Sequence, residues 1–318
     1  MLRSRRPASR PAPRTDSTPT LRLPITALAT VIALTGFNSE ALSVSSHQPG
    51  GNGTTYLDRS TWIDANQIEM VTTNEGSIGY DLIQGAPGLV YPTGGVNTCL
   101  YAAGLWIGAV VDGEPHVTVA EYGFEFTPGR IEEDGSWDED IYDPRWRTYK
   151  IERGDTPGSN PDYDEWPVDD GAPVDENGAP RHLGRQTLFS VYHDANPDAH
   201  TNDAGATQPL GADVQQTIFA LDNPGAANDI VFVQWKIVND GEEAWRDAYV
   251  SCWLDPDLGG AGDDYVGCDP DQSLGYCYNA TNDDLLYGAT PPCLGALLVR
   301  VRSFLTGRRR MVSGRGSA

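Results

Sequence analysis

Six aspartates fall within the 17 residues DPDLGGAGDDYVGCDPD: Asp255, Asp257, Asp263, Asp264, Asp269 and Asp271. Carboxylates crowded this closely repel one another unless they splay into water or share a cation. A calcium ion takes about six to eight oxygen ligands from carboxylates and carbonyls on a tight, glycine-permitted loop. Asp255, Asp257, Gly260 and Asp263 match positions 1, 3, 6 and 9 of an EF-hand loop. Gly259 at position 5 and Val266 at position 12 do not match, and the bidentate glutamate is missing. The expectation is a looser calcium loop on a β scaffold, with Asp255, Asp257, Asp263 and Asp264 as ligands and Asp269 as a fifth. The alternative is a solvated loop whose acids point apart.

A second run, His193-Asp194-Ala195-Asn196-Pro197-Asp198-Ala199-His200, repeats the calcium-loop spacing in Asp194, Asn196 and Asp198. Ala199 stands where such a loop needs glycine, so this site is the weaker, and an Asx-type turn capped by its own side chains competes with it. Asp175-Glu176-Asn177-Gly178 reads as a plain turn. The five cysteines have no zinc-like spacing. In an exported chain, Cys268 and Cys277 are the disulfide candidates, closing a loop worth about 2–3 kcal/mol. Two free thiols are the other reading.

No G-x-S-x-G, H-E-x-x-H, P-loop or G-x-G-x-x-G occurs, so no catalytic residue is assigned. Trp137, Trp146 and Trp166 fall in a loop-rich section, where indoles either pack or stack on sugars. Trp235 alternates with apolar neighbours and reads as core.

The elements that would position these groups are strands. The chain holds 35 Gly and 23 Pro, which leaves few stretches for a long helix. Leu100–Val111, Asp112-Gly113 and His116–Tyr122 read as a hairpin, because Asp-Gly between apolar runs is a strong turn signal. Residues 128–185 are dense in Pro, Gly, Asp and Trp and read as a long excursion covering one sheet. Thr187–Tyr192, Val214–Leu221, Ile230–Asn239 and Arg246–Leu254 read as strands. In the third, Val231, Val233, Trp235 and Ile237 share a face; in the fourth, Ala248, Val250, Cys252 and Leu254 do. The expected fold is all-β, an antiparallel β-sandwich of immunoglobulin-like or jelly-roll type with long irregular loops.

Both ends differ in charge from the middle. Residues 51–284 carry 43 acidic and 10 basic residues, which disfavours a nucleic-acid partner. Six arginines precede the 12-residue apolar run Leu23–Leu34, which is too short for a membrane span and fits the h-region of a signal peptide. Cleavage is expected near Ala41 or Ser46, leaving no transmembrane segment. Residues 291–318 lose every acid and gain six arginines, a change expected of a shifted reading frame. The organisation expected is a signal peptide and basic leader over 1–45, a flexible linker over 46–60, a loop-rich β region over 61–185, a β-sandwich region over 186–290 and a basic disordered tail over 291–318.

The segments AAGLWIGAVVDGEPHVTVAEYG, QTLFSVYHDANPDAHTNDAGATQPLGADVQQTIFA and WLDPDLGGAGDDYVGCDPDQSLGYCYNATNDD resemble a group of large exported bacterial proteins. Those proteins often end in a type A sorting domain of the type IX secretion system. The resemblance covers about residues 60–290 and implies export, with cell-surface attachment through such a domain, which residues 291–318 do not match. IVFVQWKIVNDGEEAWRDAYVSCWL is also similar to adhesion-type immunoglobulin-like modules. The function expected is a secreted or cell-surface, non-catalytic structural or binding protein stabilised by calcium, whose partners are surface glycans or proteins. The alternatives are a secreted glycan-active hydrolase and a carbohydrate-binding module.

Overall fold

The structure, a computed structural model, describes residues 25–35 and 59–303. The arginines of the leader, the cleavage positions near Ala41 and Ser46, the linker up to residue 58 and the arginine-rich end from residue 304 lie outside these residues.

The Asp112-Gly113 pair forms the expected hairpin. Both residues take positive φ, +49° and +88°, the conformation of a two-residue turn that matches strand twist. The turn joins Ala102–Val111 to Glu114–Val119, with Val111 opposite Glu114. The other four expected strands are present as Gln186–His193, Ala212–Ala220, Ile230–Asn239 and Arg246–Asp255. Every strand pairing among the described residues is antiparallel. The protein is therefore all-β, with one short helix, Pro161–Asp164, and a few single 3-10 turns.

Most of these strands belong to two sheets. In the nine-stranded sheet, Gln186–His193, Ala212–Ala220 and Ile230–Asn239 lie side by side in chain order. In the eight-stranded sheet, Ala102–Val111 is central, between Glu114–Val119 and Ser77–Ile78 on one edge and Arg246–Asp255 on the other. One core joins the two. It takes Ile63, Met70, Leu105 and Ile107 from the first half, and Leu188, Val214, Val233 and Trp235 from the second. Residues 61–185 and 186–290 thus bury their apolar faces against each other rather than in separate cores. A polar bridge crosses the interior. The Gln216 side chain accepts from Trp235 Nε1 at 2.7 Å and from the Tyr192 hydroxyl at 3.0 Å, and donates to the Thr73 carbonyl at 3.1 Å.

Gln186–His193 is buried along its whole length because both its faces are covered. Leu188 and Tyr192 enter the shared core. Phe189 and Val191 point the other way, into a second cluster with Trp146, Tyr149, Ile151, Trp166 and Ala172. The 128–185 excursion does cover a sheet, and Trp146 and Trp166 are the buried side chains that hold it there.

Two apolar runs take positions that differ from the sequence expectation. Ile25–Thr35, which overlaps the run Leu23–Leu34 read as an h-region, is a strand between Ile230–Asn239 and Cys293–Ser303, antiparallel to both. Cys293–Ser303, read as part of a disordered tail, is a strand carrying the buried Leu294. Both segments are rich in β-branched or aliphatic residues, which suit the middle of a sheet as well as they suit a signal or a tail. Among the described residues, no helix is long and apolar enough to cross a membrane, which says nothing of a β-barrel.

Candidate functional site

The acidic loop follows directly on the strand Arg246–Asp255, as its sequence implies, but its carboxylates divide into separate tasks. Asp255 accepts a hydrogen bond from the Tyr122 hydroxyl. Asp264 accepts from the Leu258 N–H at 2.8 Å and closes the loop on itself. Asp263 is exposed at the end of a single 3-10 turn, Ala261–Asp263. Asp269 stands at the far end of the six-residue strand Asp264–Asp269. It caps its own turn through the N–H groups of Asp271 and Gln272, at 3.1 and 3.3 Å. Five residue steps at about 3.3 Å each hold Asp264 and Asp269 roughly 16 Å apart, so the two do not meet at one ion.

Asp255, Asp257 and Asp264 remain near one another. Burial pushes the Asp257 carboxyl up, and the charges of Asp255 and Asp264 push it further. Asp264 is raised in the same way, by burial first and then by Asp263 and Asp284. Asp284, absent from the sequence expectation, is the best-tied acid of this region. It is buried and accepts from the N–H groups of Gly260, Leu286 and Tyr287 at 2.9, 2.9 and 2.6 Å. Its burial raises the carboxyl, but these amides outweigh that and hold it below the ordinary range. Among the described residues, no group of three or more His, Cys, Asp or Glu side chains converges as a metal set would.

The second loop is built inward. Asp194 is fully buried, and its carboxylate accepts from the Thr118 hydroxyl at 2.6 Å, the Leu210 N–H at 2.7 Å and the Ala212 N–H at 2.6 Å. Asn196 caps the turn Pro197–Ala199 by accepting from the Asp198 N–H, and Asp198 is exposed. The three side chains expected to share calcium therefore do not face a common point. His200 donates through Nε2 to the Asp194 carbonyl at 2.8 Å, with Nδ1 3.8 Å from the buried Glu125. Glu125 in turn accepts from the N–H groups of Val119, Asn202 and Ala206. These two carboxylates, 69 residues apart in the chain, fasten the whole 194–212 loop to the hairpin.

Next to this loop, His193 lies directly across the strand pair from Asp213. Burial lowers His193 to about 4. Burial raises Asp213 to about 6, against the pull of Arg130, whose Nε lies 3.2 Å from it.

All five cysteines are free thiols. Cys268 lies opposite Gly275 and Cys277 opposite Val266, so this candidate pair is diagonal across two strands.

An aromatic cluster on the outer face of one sheet was not among the sequence candidates. On Arg246–Asp255, the even positions 248 to 254 pack on the core. The odd positions Tyr249, Ser251, Trp253 and Asp255 therefore face outward. Trp253 lies 6.3 Å from Trp106 of the neighbouring strand, with ring planes parallel within 2°. The Tyr122 ring stands edge-on to Trp253 at 5.2 Å and to Tyr101 at 5.7 Å, and Tyr80 stacks on Tyr101 at 5.9 Å. Gly104 makes this possible, because any Cβ there would overlap the Ala120 carbonyl oxygen. The chain after Ala120 can thus pass close over the Ala102–Val111 strand and carry Tyr122 to the cluster. The alternation that puts Cys252 and Leu254 inside already implies that Trp253 lies outside. The approach of Tyr80, Tyr101 and Tyr122 has no local signal.

Comparisons with known proteins give no match for this chain to a family model, a curated protein or a solved structure.

Proposed function

We propose that this chain is an exported, non-catalytic binding or structural protein of the cell surface or secretome, its two antiparallel sheets forming a β-sandwich of immunoglobulin-like or jelly-roll type. The observation that carries the non-catalytic part is the closed state of its best-built polar group. Asp194 and Glu125 are fully buried and spend their oxygens on five backbone N–H groups and the Thr118 hydroxyl, work that holds a loop and leaves nothing facing a substrate. Catalytic acids and bases need a reacting group within hydrogen-bond reach. Export is supported by the resemblance of residues 60–290 to exported bacterial proteins.

Fractionation of the native host, with protease treatment of intact cells, tests location; the protein is expected in the medium or on the surface. Incubation with polysaccharides, esters and peptides tests chemistry, with reducing ends and released amines as readouts. Recovery from the cytoplasm would overturn export, and turnover that persists through purification would overturn the non-catalytic reading in favour of a secreted hydrolase.

A further inference from the structure

The outward aromatic cluster suggests which ligand such a binding protein takes. We infer that Tyr80, Tyr101, Trp106, Tyr122 and Trp253, with Asp255 at their edge, form a binding face for an uncharged polysaccharide. The inference rests on the binding-protein reading and names its ligand class.

The five rings form one continuous surface, each within 6.3 Å of the next. They sit on the side of Arg246–Asp255 away from the core, so they add nothing to the shared interior. Tyr122 is 45% exposed, and Tyr249, further along the same face, is 76% exposed. The other four rings of the cluster are half-buried, with Trp106 Nε1 turned away from water; aromatic rings at a water boundary offer apolar faces to the C–H faces of sugar rings, while nearby acceptors meet hydroxyls. Asp255 supplies such an acceptor, already oriented by the Tyr122 hydroxyl. Asp257 and Glu121 place further negative charge at the same point.

That charge selects among ligands that stack on aromatic rings. Single-stranded nucleic acid also stacks on such faces, but it requires a basic groove along its backbone. Here the rim is acidic, on a section with 43 acids against 10 bases. The same repulsion acts on uronate-rich and sulfated glycans. A neutral, hydroxyl-rich chain meets no such penalty and finds carboxylates to donate to.

The test is binding of the purified full chain to a panel of neutral, uronic-acid and sulfated polysaccharides, by affinity electrophoresis and calorimetry. Retention by at least one neutral polysaccharide is expected, insensitive to added salt. Trp253→Ala is expected to weaken it at least tenfold, and Tyr122→Ala, at a more exposed position, to weaken it severalfold with an unchanged melting curve. Failure of every neutral polysaccharide to bind overturns the inference, as does undiminished binding by the folded variants. Preference for a polylysine probe, lost on adding salt, also overturns it and assigns the face to a cationic partner. None of these results alters where the protein is found or whether it turns over substrate, so the parent reading stands or falls separately. Cleavage of the bound polysaccharide would sink that reading while leaving the face in place.

Discussion

Replacing Asp194 tests how much of the fold hangs on one buried carboxylate. Its three donors are the Thr118 hydroxyl and the N–H groups of Leu210 and Ala212, all within 2.7 Å. In Asp194→Ala the hydroxyl can turn elsewhere, but the two N–H groups keep their positions with no acceptor. Each buried orphan costs about 1–3 kcal/mol. The variant no longer buries a charge, which offsets part of this, since burial is the main influence pushing the Asp194 carboxyl up. A net loss of about 3 kcal/mol follows, or roughly 6–12 °C in Tm for a domain of this size. Asp194→Asn keeps one acceptor and turns an amide N–H₂ toward a backbone donor, so about half that loss is expected. Thermal unfolding by circular dichroism, repeated in urea, reads both. The loss should be the same in EGTA, because the carboxylate acts on amides and not through a metal. An Asp194→Ala variant melting within about 1 °C of the parent would refute the reasoning, and a loss seen only with calcium present would restore the ion site at Asp194, Asn196 and Asp198.

Asp213 and His193 predict a pH dependence with a definite sign. The Asp213 carboxyl is raised from 3.8 to about 6, so its stabilisation is full below pH 3.8 and is lost as pH rises through 6. His193 is lowered from 6.5 to about 4, so its contribution is full above pH 6.5 and is lost as pH falls through 4. Each is worth about 3 kcal/mol and the two slopes oppose; Asp213→Asn should therefore gain stability from pH 4 to 6.5, read from urea midpoints, and a variant with the parent's profile would contradict this. Gly104→Ala puts a methyl against the Ala120 carbonyl oxygen, and overpacking of this kind costs about 1–3 kcal/mol. It should lower Tm by several degrees and weaken polysaccharide retention; an unchanged Tm would mean the crossing adjusts freely. Calcium at millimolar concentration should raise Tm by relieving the repulsion among Asp255, Asp257 and Asp264, with reversal by chelator. Asp257→Asn should shrink that shift and Asp269→Asn should leave it intact, while no shift in the parent would remove the calcium reading.

The local pattern of this chain determined its strands. Alternation in Ile230–Asn239 and Arg246–Asp255 states which side chains go inward, and Asp112-Gly113 states where a hairpin turns, because both depend on neighbours two residues apart or fewer. The excursion over 128–185 and its role as a cover were legible in its loop-rich composition, but only the structure decides that Trp146 and Trp166 pack beneath it rather than stack on a sugar. What the sequence could not state is which polar groups meet. Asp194 looked like a calcium ligand because spacing says nothing about direction, and its true partners, Thr118, Leu210 and Ala212, lie 16 to 76 residues away. Asp264 and Asp269 looked like one cluster because six residues are close in a loop, yet they are far apart once the segment extends as a strand. The aromatic face was half visible, since the alternation placing Leu254 inside also places Trp253 outside. Its completion by Tyr80 and Tyr101 depended on contacts between distant segments, and that by Tyr122 on a chain crossing that the missing side chain of Gly104 permits. Short-range order is written in residue periodicity, whereas the meeting of distant side chains is decided by how the two sheets pack around their shared core.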